Sequence, residues 1–239
     1  MKGLLKKHLS QSKITELKTC YFLLRNWFQK LMYPYGRFVK TPLKLKANAK
    51  NPERRLEIGP GSKRIAGFET LNVVWDWHVD YVVDASGKLP FPEPTFDLIY
   101  ASHVLEHIPW YQVQDVLKEW VRLLKPGGQI EVWVPDGYKI AKAILDFEER
   151  DIDNSYRDGW YRLNPTKDPL IWASARIFSY GDGTGRIKHP NWHRTLFTPR
   201  LLKSILSNAG LTKIRPLTSI EVRGHDHGWI NLGMTGIKP

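Results

Sequence analysis

The stretch LEIGPGSKRIAGFETLNVV, Leu56–Val74, decides how the chain is read. A short apolar run leads into Glu57, Ile58, Gly59, Pro60 and Gly61, and the next apolar run, "LNVV", begins only ten residues after Gly61. Glycines at 59 and 61 let a backbone turn tightly and approach a ligand with no Cβ in the way. A phosphate-binding loop would present a run of amides and a full helix N-terminus to its anion. Here a carboxylate, Glu57, stands at the strand tip, the following helix is cut short, and no Gly-Lys-Ser/Thr follows. A purely structural turn explains the glycines alone. The added acid favours a ligand that carries positive charge or donates hydrogen bonds.

Working outward, short strand-like runs alternate with helical ones. The apolar pattern predicts strands at 55–58, 70–74, 81–83, 98–101 and 129–134, with helices over 113–124 and 138–148. "KPGG" (125–128) has the residues that suit a helix C-cap. Residues 151–196 lose the alternation and read as an insertion or lid. "FTPRLLKSILSNAGLTKIRPL" restores it, with Thr198 as N-cap, Pro199 at the first helical position, Gly210 as stop and a strand beyond. The last 20 residues suit a terminal strand or hairpin. The expected fold is α/β, a Rossmann-like, doubly wound, mostly parallel sheet over 54–239.

Ahead of it lies a basic arm, residues 1–53. Residues 1–55 hold 14 Lys and Arg against only Glu16 and Glu53, so the whole net charge of +12 resides there and the body is neutral. Ile14, Leu17, Tyr21, Leu24, Phe28 and Leu31 share one helix face, Pro34 and Gly36 are expected to end that helix, and 37–53 reads as linker. Such an arm either packs on the body with its charges solvated or lies against an anionic membrane. Aromatic and basic residues do not recur as in a nucleic-acid-binding module, so nucleic acid is an unlikely partner. The one cysteine, Cys20, excludes an internal disulfide framework. With no apolar signal-peptide core in view, the expected location is the cytoplasm, at most peripheral to a membrane.

Three segments in order, "LEIGPG", "VDYVVDASGKLPFPEPTFDLIYASHVLEHI" and "VLKEWVRLLKPGGQIEVWVPD", resemble the class I S-adenosylmethionine-dependent methyltransferases, specifically the small bacterial methyltransferase type 11-like group. "HRTLFTPRLLKSILSNAGLTKI" is similar to that family's closing helix and strand. The resemblance implies S-adenosylmethionine as cofactor and S-adenosylhomocysteine as product. It gives Glu57 to the methionine ammonium, and the backbone of Gly59, Pro60 and Gly61 to the amino-acid and ribose portions. Asp84 and the amide of Ala85 would meet the adenine, and Ser102 and His103 would line the floor beneath the sulfonium. The family usually ends its second strand on Asp or Glu for the ribose. This chain has Val74 there, so Asn72 and Asp76 are the candidates, Asp76 only if the strand continues that far.

"HVLEH" (103–107) also matches an inverted zinc-protease motif. That chemistry needs a helix around both histidines and a third ligand, while Pro109 cuts any helix short, so no metal is expected. The plain account of Glu106 and His107 is capping and core hydrogen bonding. Methyl transfer needs a base only where the acceptor must lose a proton. His193 and then His103 are the base candidates, and structural histidines are the plain alternative; Asp182 and His189 share the glycine-rich loop with His193. Trp75, Trp77, Trp110, Trp160, Trp172 and Trp192 could line an acceptor site or fill core, whereas Trp120 and Trp133 read as core. The acceptor is expected to be a small molecule, a sugar or glycan, or a lipid-linked compound. The competing readings are a non-catalytic binding or scaffold protein of the same fold and, more remotely, a dinucleotide-dependent oxidoreductase.

Overall fold

The strand-like runs join into one sheet. In the computed structural model, which describes residues 11–158, 167–178 and 192–239, seven strands form one sheet: β1 (Arg55–Ile58), β2 (Glu69–Asn72), β3 (Tyr81–Val82), β4 (Phe96–Ser102), β5 (Leu124–Pro135), β6 (Thr212–Leu217) and β7 (Asn231–Ile237). Their order is β3-β2-β1-β4-β5-β7-β6. The first five run parallel, and β7 pairs antiparallel with both β5 and β6. The central strands are buried: Leu56, Ile58, Ile99, Ala101, Ile130 and Val132 carry almost no exposed surface. Their near-continuous apolar runs are what a sheet covered on both faces requires.

Helix α3 (Val113–Leu123) buries Val113, Val116, Leu117, Trp120 and Val121 at three-four spacing. It ends before "KPGG", which belongs to β5 and not to a helix cap. Gly127 takes φ +75, its amide donates to Lys238, and the β4–β5 register shifts there, so the glycines make an irregular strand entry. Helix α4 (Gly137–Arg150) is capped by Asp136, which accepts from the amides of Tyr138 and Lys139. Helix α5 (Pro169–Phe178) packs on it through Trp172 and Ala173 against Ile140 and Ala143. Helix α6 (Pro199–Asn208) starts as expected, with the Thr198 side chain accepting from the Leu201 amide.

The arm departs from its expected form. Helix α1 (Gln11–Tyr35) passes through Pro34, continues as a π-helical turn over Gly36–Lys40, and runs on into α2 (Thr41–Asn48). A proline removes one amide from the helical ladder, and a wide turn after it absorbs the mismatch. Gly36 is dictated by packing, because a Cβ there would sit 2.4 Å from Trp75 and 2.6 Å from Val82. Phe28 meets Trp75 edge-on at 5.6 Å, Arg25 pairs with Asp76 at 3.0 Å, and Thr41 Oγ1 accepts from the Val82 amide. The arm thus docks beside β3. Tyr21, Leu24 and Leu31 of the apolar stripe stay 57–68% exposed; the side chains of Ile14 and Leu17 lie outside the described residues. No helix among the described residues is long and apolar enough to cross a membrane.

Candidate functional site

The parallel strands β1 to β4 end on one edge of the sheet, and strand order reverses between β1 and β4, where a ligand crevice opens in such folds. The loops after these two strands touch. Gly59, at φ +73, lies so close to Val104 that a Cβ would come within 2.3 Å of its Cγ2. Pro60 is buried, Gly61 has φ +54 with open space around it, and no α-helix forms between β1 and β2. Glu57, buried next to the strand tip, accepts from the Ile65 amide at 2.8 Å. Burial raises its carboxyl, while the Ile65 amide and nearby Arg64 pull the other way.

At the neighbouring tips, Asn72 is the last residue of β2 and its carbonyl accepts from the Val83 amide. The strand stops there, so Asp76 does not share its face as expected. The Asp76 carboxylate instead caps the Trp77 amide at 2.7 Å and pairs with Arg25 of the arm. Its link to the glycine loop runs through His78, whose Nδ1 lies 3.4 Å from Asp76 and Nε2 3.1 Å from the Gly61 carbonyl. Asp84 Oδ1 accepts from the amide and hydroxyl of Ser86, a local turn that holds it at the rim. The Ala85 carbonyl accepts from Trp120 Nε1 at 3.0 Å, which ties that turn to the core.

At the end of β4, Ser102 is half-buried, and the next residue, His103, takes φ +53. His103 Nε2 lies 2.8 Å from Asn231 Oδ1, and Nδ1 lies 3.3 Å from Glu106 Oε1. The Asn231 amide nitrogen donates to Asp226, so its oxygen faces the ring and His103 Nε2 must donate. Both nitrogens therefore face acceptor oxygens, a poor arrangement for a base. The ring stacks on His227 at 3.7 Å, and His225 meets His227 at 4.7 Å. Burial pushes His227 down to about 3, helped by the His103 and His225 rings.

His193 fares no better as a base. It is buried, its Nδ1 lies 2.7 Å from the Arg176 carbonyl, and burial lowers its pKa to about 4. A base works best with a pKa near the operating pH. Asp182, His189 and Trp160 lie outside the described residues. Trp75 and Trp172 are core, as are Trp120 and Trp133, while Trp77 and Trp110 are exposed. Sequence reasoning passed over His78, His225, His227 and Asn231. The signal it had was "GHDHG", two histidines flanking an acid in a tail assigned to a plain hairpin.

One further group was set aside as capping and is more unusual. Glu106 is 1% exposed, and neither carboxylate oxygen has a hydrogen-bond partner. Burial would raise this carboxyl, but His103 beside it, with the His107 and His193 rings, holds it down to about 2. The ligand-capable atoms of Glu106, His107 and His193 lie within 4.8 Å of one another.

Residues 56–132 match a family described as "Methyltransferase domain". The chain is 46% identical over 76 residues to a sterol 4-C-methyltransferase of Caenorhabditis elegans, covering 32% of this chain and 22% of that one. It is 27% identical over 136 residues to a ubiquinone/menaquinone biosynthesis C-methyltransferase of Pseudoalteromonas translucida, covering 56% and 45%. Against a demethylmenaquinone methyltransferase of Bacillus velezensis it is 31% identical over 102 residues, covering 38% and 43%. It spans less than half the length of each of these relatives. The matched segment 56–132, which carries β1 to β4 and the glycine loop at the switch point, is thus similar to the methyltransferase domains of these relatives.

Proposed function

We propose that this protein moves the methyl group of S-adenosylmethionine to a small-molecule acceptor met at an anionic membrane surface. The observation that carries the transfer reading is the meeting of the β1 and β4 loops at the switch point, with a buried carboxylate at Glu57 and Gly59 at φ +73 packed against Val104. A carboxylate destabilised by burial gains when a cationic ligand settles beside it. Donor affinity should therefore fall as the medium is acidified through the raised pKa of Glu57, because the protonated acid offers an ammonium or sulfonium no charge. Calorimetric titration with S-adenosylhomocysteine across pH reads this directly, and Glu57→Gln should bind about 10–100-fold more weakly and lose the acid-side slope. A folded chain that gives no heat with either nucleoside at any pH would leave the transfer reading without support. The curated relatives act on sterols and quinones, which suits an apolar acceptor; a sugar or lipid-linked glycan remains within the same class of chemistry.

The membrane part rests on the arm. Trp27, Phe38 and Leu43 are 63–72% exposed, along a segment, residues 1–53, that holds 12 Lys and Arg against two Glu. Apolar side chains among lysines and arginines suit the headgroup layer of an anionic bilayer. Flotation with phosphatidylserine-containing vesicles should carry the full chain upward, and raised salt should weaken this. A chain with Trp27, Phe38 and Leu43 all changed to Ser should stay at the bottom. Equal flotation of the two forms would remove the arm from the account. A non-catalytic scaffold role is distinguished by turnover, since a scaffold never releases the demethylated nucleoside.

A further inference from the structure

From the Glu106, His107 and His193 cluster we infer that the protein holds a divalent transition-metal cation of the zinc class, with coordination positions left open for an oxygen of the methyl acceptor. The site itself stands on geometry; its role at the acceptor rests on the methyl-transfer reading above. Leu105–His107 form a single tight turn directly after β4, which sets Glu106 and His107 side by side. The chain returns to this turn from far away. The amides of Arg194 and Thr195 donate to the Glu106 carbonyl at 2.7 and 3.2 Å, and Thr195 Oγ1 donates to the Ile108 carbonyl at 2.7 Å. That strap delivers His193.

Both imidazoles are oriented as metal ligands usually are. His107 Nδ1 lies 3.2 Å from the Trp192 carbonyl and His193 Nδ1 lies 2.7 Å from the Arg176 carbonyl. A carbonyl only accepts, so each Nδ1 carries the proton and Nε2 is the atom that can ligate. The carboxylate supplies the third ligand and the reason for an ion. A buried carboxylate stays charged only beside positive charge, and imidazoles flank this one: His103 Nδ1 at 3.3 Å, with His107 and His193. A cation among the three groups would supply such a charge.

Two histidines and one carboxylate, with no thiolate near, suit Zn²⁺, Co²⁺ or Fe²⁺. Three protein ligands are a catalytic number and not a closed structural one. Glu106 also contacts His103 at the β4 tip, so the ion would border the methyl crevice. A hydroxyl bound to such an ion gives its proton to solvent water at far lower pH than a free one. That removes the need for a base, which neither His193 nor His103 is placed to supply. The ligand set inferred here differs from the inverted-protease pattern of "HVLEH", which pairs His103 with His107: it takes Glu106 with His107, and its third ligand comes from residue 193.

The full chain, stripped with a chelator, should be titrated with Zn²⁺ by calorimetry and with Co²⁺ by absorption. One ion per chain is expected. Glu106→Gln and His193→Gln should each weaken binding at least about tenfold, while His225→Gln, in the neighbouring histidine pair, should not. X-ray absorption of the zinc-loaded native chain should show imidazole scattering from two rings, a readout that survives any misfolding of the variants. Absence of binding by folded protein, binding that follows His225 and ignores His193, or a shell without imidazole would each overturn the site. S-adenosylhomocysteine titration of the same samples separates this from the transfer reading: nucleoside binding without zinc sinks the ion alone.

Discussion

Asp158→Ala is expected to destabilise the protein by about 3–5 kcal/mol, the range for removing one partner of a buried ion pair. Asp158 is 2% exposed and Arg176 1%. The guanidinium engages the carboxylate in two parallel bonds, Nε to Oδ2 at 2.5 Å and Nη2 to Oδ1 at 2.6 Å, and Trp172 Nε1 donates to the same Oδ2 at 2.8 Å. Removing the carboxylate takes two bonds from a permanently charged guanidinium inside the α4–α5 layer, and Arg cannot escape by deprotonating. The intact pair contributes far less than its loss costs, because bringing both charges out of water has already been offset by their attraction. It follows that Asp158→Ala combined with Arg176→Met should recover much of the stability, though the single change is severe. Urea unfolding followed by tryptophan fluorescence measures both, with an unchanged m-value as the check that only stability moved. A loss below about 1 kcal/mol for the single variant would mean that water reaches the pair. The consequence extends to the site, since the Arg176 carbonyl accepts the His193 Nδ1 proton.

How far the chain could be read in advance follows from the range of each interaction. Strands β1, β4 and β5 and helices α3 and α6 were legible because their signals are local: apolar runs, three-four spacing, the Thr198 cap before Pro199. Motif order then gave the sheet. The helix through Pro34 was not legible, because the packing that favours it is distant: Gly36 sits against Trp75 and Val82. "KPGG" has a composition that fits a cap or a strand irregularity equally, and pairing with β7, far along the chain, decides between them. The site shows the same division. Glu57, Gly59 and Asp84 sit on strand tips that the motifs mark. His103 meets Asn231, 128 positions away, and His107 meets Trp192, 85 away. No periodicity encodes such pairs. A histidine's spacing to its own neighbours says nothing about which histidine the strap will return.

Gly59→Ala is expected to abolish measurable nucleoside binding, through two separable penalties. The first is backbone: an L-residue held at φ +73 pays about 1–2 kcal/mol for its Cβ against the following carbonyl. The second is contact, because the new methyl would lie 2.3 Å from Val104 Cγ2, inside any tolerable carbon–carbon separation. Val104 has little room to retreat, as it follows His103, itself at φ +53 and tied by its amide to the Trp133 carbonyl at 2.8 Å. Overpacking of this kind costs about 1–3 kcal/mol, or the two loops part and the crevice changes shape. Gly61 supplies the control. It shares the positive φ, at +54, but a Cβ there meets nothing within 4 Å, so Gly61→Ala should suffer the backbone cost alone. Gly59→Ala with Val104→Ala should regain the contact part and behave like Gly61→Ala. Thermal unfolding and S-adenosylhomocysteine calorimetry on the three variants test the scheme. If relieving Val104 restores nothing, steric touch between the β1 and β4 loops is not what makes position 59 a glycine, and close approach of the ligand to that backbone becomes the better physical reason.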